Sequence, residues 1–187
     1  MKEHEFYPTP DKLADKIVDV TAQELQGVDT GPWLEPSFGE GAIVAAMNRK
    51  GVQRPVGIEP HIEQRAGLQC ESYKMTLEAA WEKGVLAISR FGAIVGNPPF
   101  SFAESHIRLL LPCLRPGGIL VFLLRMTFLG SKSRVKLFEE HPPSKVIVLQ
   151  GRPSFTNDGK TDSSEYGLFI WKRDGQLGTR LEWSEWK

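Results

Sequence analysis

Apolar positions recur along this chain in two rhythms, and their alternation outlines a fold. Short apolar runs bounded by turn residues predict strands over 33–35, 56–59, 91–96, 119–124, 146–149 and 166–171, the last of the chain. Helical spacing falls between them. Leu13, Ile17, Val18, Val20 and Leu25 mark a helix reaching about Gly27, with Thr9 placed to cap it, Pro10 at its first position and Asp11 in its first turn. Ile43, Val44 and Met47 mark a second, to Lys50, and residues 61 to about 71 read as a third. A further helix starts at Phe102 behind a capping box of Ser101 and Glu104. It carries Ile107, Leu110, Leu111 and Leu114 on one face and ends at Pro116-Gly117-Gly118. Another covers 133–140. Between 72 and 90 the pattern is weakest, with a strand near 73–77 and a helix or loop through Trp81. The run Ile119-Leu120-Val121-Phe122-Leu123-Leu124 has no polar position, so it is expected to be buried on both faces, as in a parallel sheet. Strands alternating with helices predict a doubly wound α/β sheet whose site lies at the carboxyl ends of its strands.

Length and charge narrow the classes. With 187 residues and 41% hydrophobic side chains, the expectation is a single domain over 1–187 with no room for a second. Lys plus Arg and Asp plus Glu balance at 23 each, so any nucleic-acid contact has to use a local patch. Cys70 and Cys113 have no CxxC neighbour and no clustered histidines, which argues against a metal site and against a disulfide scaffold. The charged start at residues 1–6 and the lack of a membrane-length apolar run fit a soluble, cytoplasmic protein.

Two turns carry the candidate chemistry. After the strand at 91–96 stands Asn97-Pro98-Pro99-Phe100, where two prolines stiffen the backbone and remove two donors, leaving Asn97 and nearby carbonyls as acceptors. After the first strand stands Glu35-Pro36-Ser37-Phe38-Gly39-Glu40-Gly41. Glycines there serve plain turn chemistry as well as close approach of a ligand. No third glycine and no Walker lysine follow, and Glu35 and Glu40 suit a cationic ligand better than a pyrophosphate. Glu59, ending the second strand, is where a carboxylate can accept both hydroxyls of a ribose.

In motif order and spacing the chain resembles, from Tyr7 to about Trp171, the amino-group (adenine-type) methyltransferases that use S-adenosylmethionine. Its Asn97-Pro98-Pro99-Phe100 looks like their catalytic tetrapeptide. The resemblance implies a Rossmann-like class I methyltransferase fold with an antiparallel last strand. It implies cofactor contacts from Glu35, Ser37, Gly39, Gly41, Glu59 and Asn97, and from Tyr7 and Thr9 in the segment that holds the methionine end. The closing residues 152–155 and 161–171 look like small phage and prophage members, which implies a bacterial or phage-infected host cytoplasm. Phe100 and Phe128 are the implied base contacts, and Arg125, Arg152 and Lys160 are candidate phosphate contacts in loops rimming the pocket. The acidic residue that meets the cofactor adenine has only Thr76 and Glu78 as candidates, and Gly92 stands where an aspartate is common. With no separate target-recognition domain, specificity falls to loops or a protein partner. DNA is the implied polymer. RNA, a protein glutamine, or a non-catalytic methyltransferase-like role remain the alternatives.

Overall fold

The unbroken run at 119–124 lies inside the sheet because neither of its faces can be left to water. In the computed structural model, which describes residues 7–26, 31–61, 63, 65–155, 162–174 and 178–186, this run belongs to β5 (Leu114–Arg125). Ile119, Val121 and Leu123 enter one core and Leu120, Phe122 and Leu124 the other, all fully buried. β1 (Trp33–Glu35), β2 (Pro55–Ile58), β3 (Glu71–Tyr73), β4 (Phe91–Gly96), β6 (Lys145–Gln150), β7 (Tyr166–Lys172) and β8 (Arg180–Glu185) complete an eight-stranded sheet ordered β3-β2-β1-β4-β5-β7-β6-β8. Neighbours among β1 to β5 pair parallel, β7 runs antiparallel between β5 and β6, and β8 pairs parallel with β6. The mostly parallel, doubly wound sheet with an antiparallel strand at 166–171 is therefore the observed architecture.

Helices close both faces. α1 (Asp11–Leu25) and α2 (Ala42–Arg49) supply Leu13, Ile17, Ile43 and Met47 to one core. α3 (Leu77–Glu82), α4 (Ala103–Leu110) and α5 (Val135–Glu140) supply Leu77, Ala80, Ile107, Leu110 and Leu137 to the other. The chain passes from one face to the other after β2. This doubly wound arrangement brings the tips of β1, β2, β4 and β5 to one end of the sheet. Among the described residues, no helix is long and apolar enough to cross a membrane.

Several local expectations are corrected. Thr9 does not cap α1: Pro10 occupies the N-cap without a side-chain bond, and the Thr9 hydroxyl is turned toward Asn97. The described part of 61–70 is not helical, and β3 begins at Glu71, ahead of the expected strand, because its backbone pairs with Val56–Ile58. α4 has Phe102 at its N-cap with no side-chain bond, so the capping box at Ser101 does not form. Pro116-Gly117-Gly118 lies within β5 rather than ahead of it. There the register with β4 slips between Phe91 and Ala93, and Gly117 takes φ +74°. β7 is followed by one more strand, β8, held by Lys145 pairing with Glu24 at 2.8 Å and Glu182 at 3.0 Å.

α3 does have a side-chain cap. The Thr76 hydroxyl accepts from Ala79 N–H at 3.2 Å. Thr76→Ala is expected to lower the unfolding free energy by about 1 kcal/mol, read by urea denaturation.

Candidate active site

Asn97 is delivered by β4 to the end of the sheet and fixed there by the start of the chain. Its side-chain NH2 donates to the Tyr7 carbonyl at 3.1 Å and to the Thr9 hydroxyl at 3.2 Å. A carbonyl can only accept, so this pairing sets which end of the amide is nitrogen. The other end, Oδ1, is buried and has no hydrogen-bond partner among the described residues. An orphaned buried acceptor costs about 1–3 kcal/mol. The second such atom, His106 Nδ1, lies on α4 with its ring 6.1 Å from Phe102, and burial holds that imidazole down to about 4.

Phe100 closes a circuit of rings. Its centroid is 5.4 Å from Tyr7 and 5.9 Å from Tyr166, Tyr166 is 5.1 Å from Phe155, and Phe155 is 5.8 Å from Tyr7. The Arg125 guanidinium lies over this group, 4.8 Å from the Phe100 centroid and 5.8 Å from that of Tyr7. β5 and β7 bring Arg125 and Tyr166 opposite each other, and Arg125 Nε donates to the Tyr166 hydroxyl at 3.1 Å. That hydroxyl donates in turn to Asp162 Oδ2 at 3.1 Å. Burial pushes the Tyr166 phenol up to about 12. Burial also pushes the Asp162 carboxyl up, but Ser164 N–H, the Tyr166 hydroxyl and the Arg125 charge outweigh it and hold it below its usual range. Asp162, Tyr166 and Phe155 were not singled out as site residues. The β5–β7 register that brings Tyr166 to Arg125 is a long-range fact without a local signal.

The glycine turn is built around two carboxylates. Gly39 and Gly41 take φ +51° and +89°, left-handed conformations that a side chain would strain. Glu59 accepts from Gly39 N–H at 3.0 Å with one oxygen and from His61 N–H at 2.9 Å with the other. These two bonds hold both carboxylate oxygens at the turn. Glu35, at the end of β1 and 3% exposed, accepts from Val44 N–H at 3.1 Å in the first turn of α2. Burial, reinforced by the Glu59 charge and opposed by Val44 N–H, holds the Glu35 carboxyl well above the usual carboxylate range. Ser37 stands half-buried in this turn, and Glu40 is exposed.

No protein-family model and no curated protein matches the chain, but solved structures do. A Listeria monocytogenes protein described as a class I S-adenosylmethionine-dependent methyltransferase superposes with TM-score 0.68 at 11% identity, over 99% of this chain and 67% of that one. The methyltransferase subunit of a type I restriction-modification system from Streptococcus thermophilus gives 0.64 at 16%, over 89% of this chain and 44% of that one. A Pyrococcus horikoshii protein described as an RNA methyltransferase gives 0.61 at 14%, over 90% of this chain and 86% of that one. The fold is that of the class I methyltransferases. In this fold Asn97 to Phe100 follows β4, with the glycine turn at the tip of the adjacent β1.

The remaining candidates scatter. Phe128, expected as a base contact, is 5% exposed and packs edge-on against Phe138 and Phe169, both at 5.8 Å. Thr76 serves α3, and Glu78 is exposed. Arg152 is exposed and paired with Glu165 at 2.8 Å. Lys160 lies outside the described residues. Pro98 is buried, and the Pro99 carbonyl accepts from Phe102 N–H at 2.9 Å, which sets the turn into α4.

Proposed function

We propose that this chain transfers the methyl group of S-adenosylmethionine to the exocyclic amine of adenine in DNA. The observation that carries this is Asn97: its NH2 is spent on Tyr7 and Thr9, and its buried Oδ1 has no protein partner among the described residues. The turn suits the cofactor by its chemistry. Gly39 and Gly41 let a ligand approach the backbone, Glu59 just beyond β2 is the carboxylate assigned to a ribose, and exposed Glu40 places an acidic side chain in the same turn as buried Glu35. When bound, the cofactor supplies an electrophilic methyl on a sulfonium.

The residues do the rest by position. Adenine's amine is a poor nucleophile because its lone pair is delocalised into the ring. Asn97 Oδ1 accepts one amine hydrogen and the Pro98 carbonyl the other, which draws the nitrogen toward tetrahedral geometry and aims its lone pair. The amine nitrogen would bond to the methyl as the methyl–sulfur bond breaks and the neutral thioether leaves, and the methylated amine would then lose one proton to solvent, so no strong base has to act first. Phe100 stacks on the base, which leaves its duplex to reach the pocket. Two further solved structures of similar fold, a DrdV–DNA complex and LlaGI with a DNA substrate mimic, support DNA. Arg152 adds a phosphate contact, and a protein partner adds target recognition.

Labelled cofactor offered with DNA, RNA and protein extracts separates the substrates. Label is expected in DNA. Label only in RNA moves the same chemistry to the other polymer, label only in protein contradicts the adenine assignment, and a folded chain with no calorimetric cofactor binding is a non-catalytic relative.

A further inference from the structure

The base face of Phe100 is not empty in this protein. Three groups surround its ring: Tyr7, Tyr166 and the Arg125 guanidinium. Tyr166 is fully buried and Tyr7 is packed against the core, whereas the Arg125 side chain is 34% exposed on a long flexible stem. An adenine stacking on Phe100 therefore displaces Arg125 more readily than either tyrosine.

We infer that Arg125 occupies the base slot of the free protein and is exchanged for the incoming nucleotide, leaving Phe100 to adenine and taking that nucleotide's phosphate as its new partner. This rests on the methyltransferase assignment above and adds a nucleotide-sensing residue to it. The magnitudes favour the exchange. Stacking a base on an aromatic ring is worth about fivefold to a hundredfold in affinity, whereas a partly exposed cation–π contact is worth about two- to fivefold. The exchange breaks one ordinary hydrogen bond, from Arg125 Nε to the Tyr166 hydroxyl at 3.1 Å, and one long contact, from the Arg125 terminal nitrogen to Asp162 Oδ2 at 3.5 Å, the outer limit of a hydrogen bond; two bonds to a phosphate replace them. When the guanidinium leaves, Asp162 keeps the Tyr166 hydroxyl at 3.1 Å on Oδ2 and Ser164 N–H at 2.8 Å on Oδ1, so its carboxylate is not stranded. A phosphate offers what Asp162 does not, a paired geometry that the planar guanidinium can meet with two bonds. A nucleoside has no phosphate and so competes with Arg125 for the slot, while a strand of DNA recruits it.

That difference gives opposite signs in one experiment. With S-adenosylhomocysteine saturating the cofactor site, affinities for adenosine and for a short adenine-containing single-stranded oligodeoxynucleotide are measured for wild type, Arg125→Gln and Asp162→Asn. Arg125→Gln is expected to tighten adenosine about two- to fivefold. It is expected to weaken the oligonucleotide and to reduce the slope of log affinity against log salt by about 0.7, the loss of one single-strand phosphate contact. Asp162→Asn, which removes the competing anion and keeps an acceptor for Ser164 N–H, is expected to tighten the oligonucleotide. If Arg125→Gln weakens both ligands, changes neither, or leaves the salt slope intact while wild type binds both, the exchange is overturned and the methyltransferase assignment stands. If wild type binds neither probe, the assignment falls and the exchange with it.

Discussion

Asn97→Ala is expected to slow single-turnover methyl transfer about a hundred- to a thousandfold, the usual loss when one preorganised polar group is removed from a reacting centre. The effect on stability is expected to be far smaller, within about 1 kcal/mol. Alanine forfeits the two bonds from the Asn97 NH2 to Tyr7 and Thr9, but it also removes the orphaned Oδ1, and the two contributions are of similar size and opposite sign. A large loss of rate with little loss of stability distinguishes a site residue from a structural one. Asn97→Asp refines the test. It keeps an acceptor for the amine but sets an oxygen against the Tyr7 carbonyl, so it is expected to recover part of the rate while loosening the segment at Tyr7–Thr9. Were Asn97→Ala to turn over at the wild-type rate, the orphaned oxygen would have no part in the reaction.

Glu59→Ala is expected to weaken cofactor binding about a hundredfold or more by calorimetric titration. It removes the charged acceptor proposed for the ribose hydroxyls, where hydrogen bonds to a charged group are worth about 1.5–3 kcal/mol each. It also strips Gly39 N–H and His61 N–H of their shared acceptor and releases the turn. Glu59→Gln is expected to be nearly as damaging. Both carboxylate oxygens accept from backbone N–H groups, so an amide must turn its own NH2 against one of them. Wild-type affinity in Glu59→Gln would mean that a second acceptor is dispensable and that the turn holds its shape without it.

How much of this was legible in the sequence follows from where each signal resides. β1, β2, β4, β5, β6 and β7 were readable because burial leaves an apolar run in the chain itself, most plainly at Ile119 to Leu124. β3 and β8 are edge strands at the two ends of the sheet. β3 is largely exposed, and Leu181 and Trp183 of β8 remain open to solvent, so neither segment carries a clear apolar period. The expected helix over 61–71 failed for a related reason. The segment is polar, Gly67 takes φ +80° within it, and pairing with β2 claims its end as a strand.

The candidate site divides the same way. Asn97 to Phe100, the glycine turn and Glu59 are contiguous motifs at strand ends and could be located before the fold was seen. The contacts that complete them are long-range. Thr9 has the local character of a helix cap, yet its hydroxyl is taken by Asn97, 88 positions away. Arg125 was placed on the pocket rim, but the β5–β7 register binds it to Tyr166 and sets it over Phe100. Phe128, three residues further on, is drawn into the core by Phe138 and Phe169, which no spacing near it announces.

The most direct measurement of the central claim is the identity of the methylated atom. DNA incubated with the chain and methyl-labelled S-adenosylmethionine is digested to nucleosides and resolved by mass spectrometry against standards. The expected product is 2′-deoxyadenosine methylated on its exocyclic amine, formed by wild type and lost in Asn97→Ala. Label on cytosine, on a ring nitrogen of adenine, or in a product that Asn97→Ala forms equally well would contradict the role assigned to Asn97-Pro98-Pro99-Phe100.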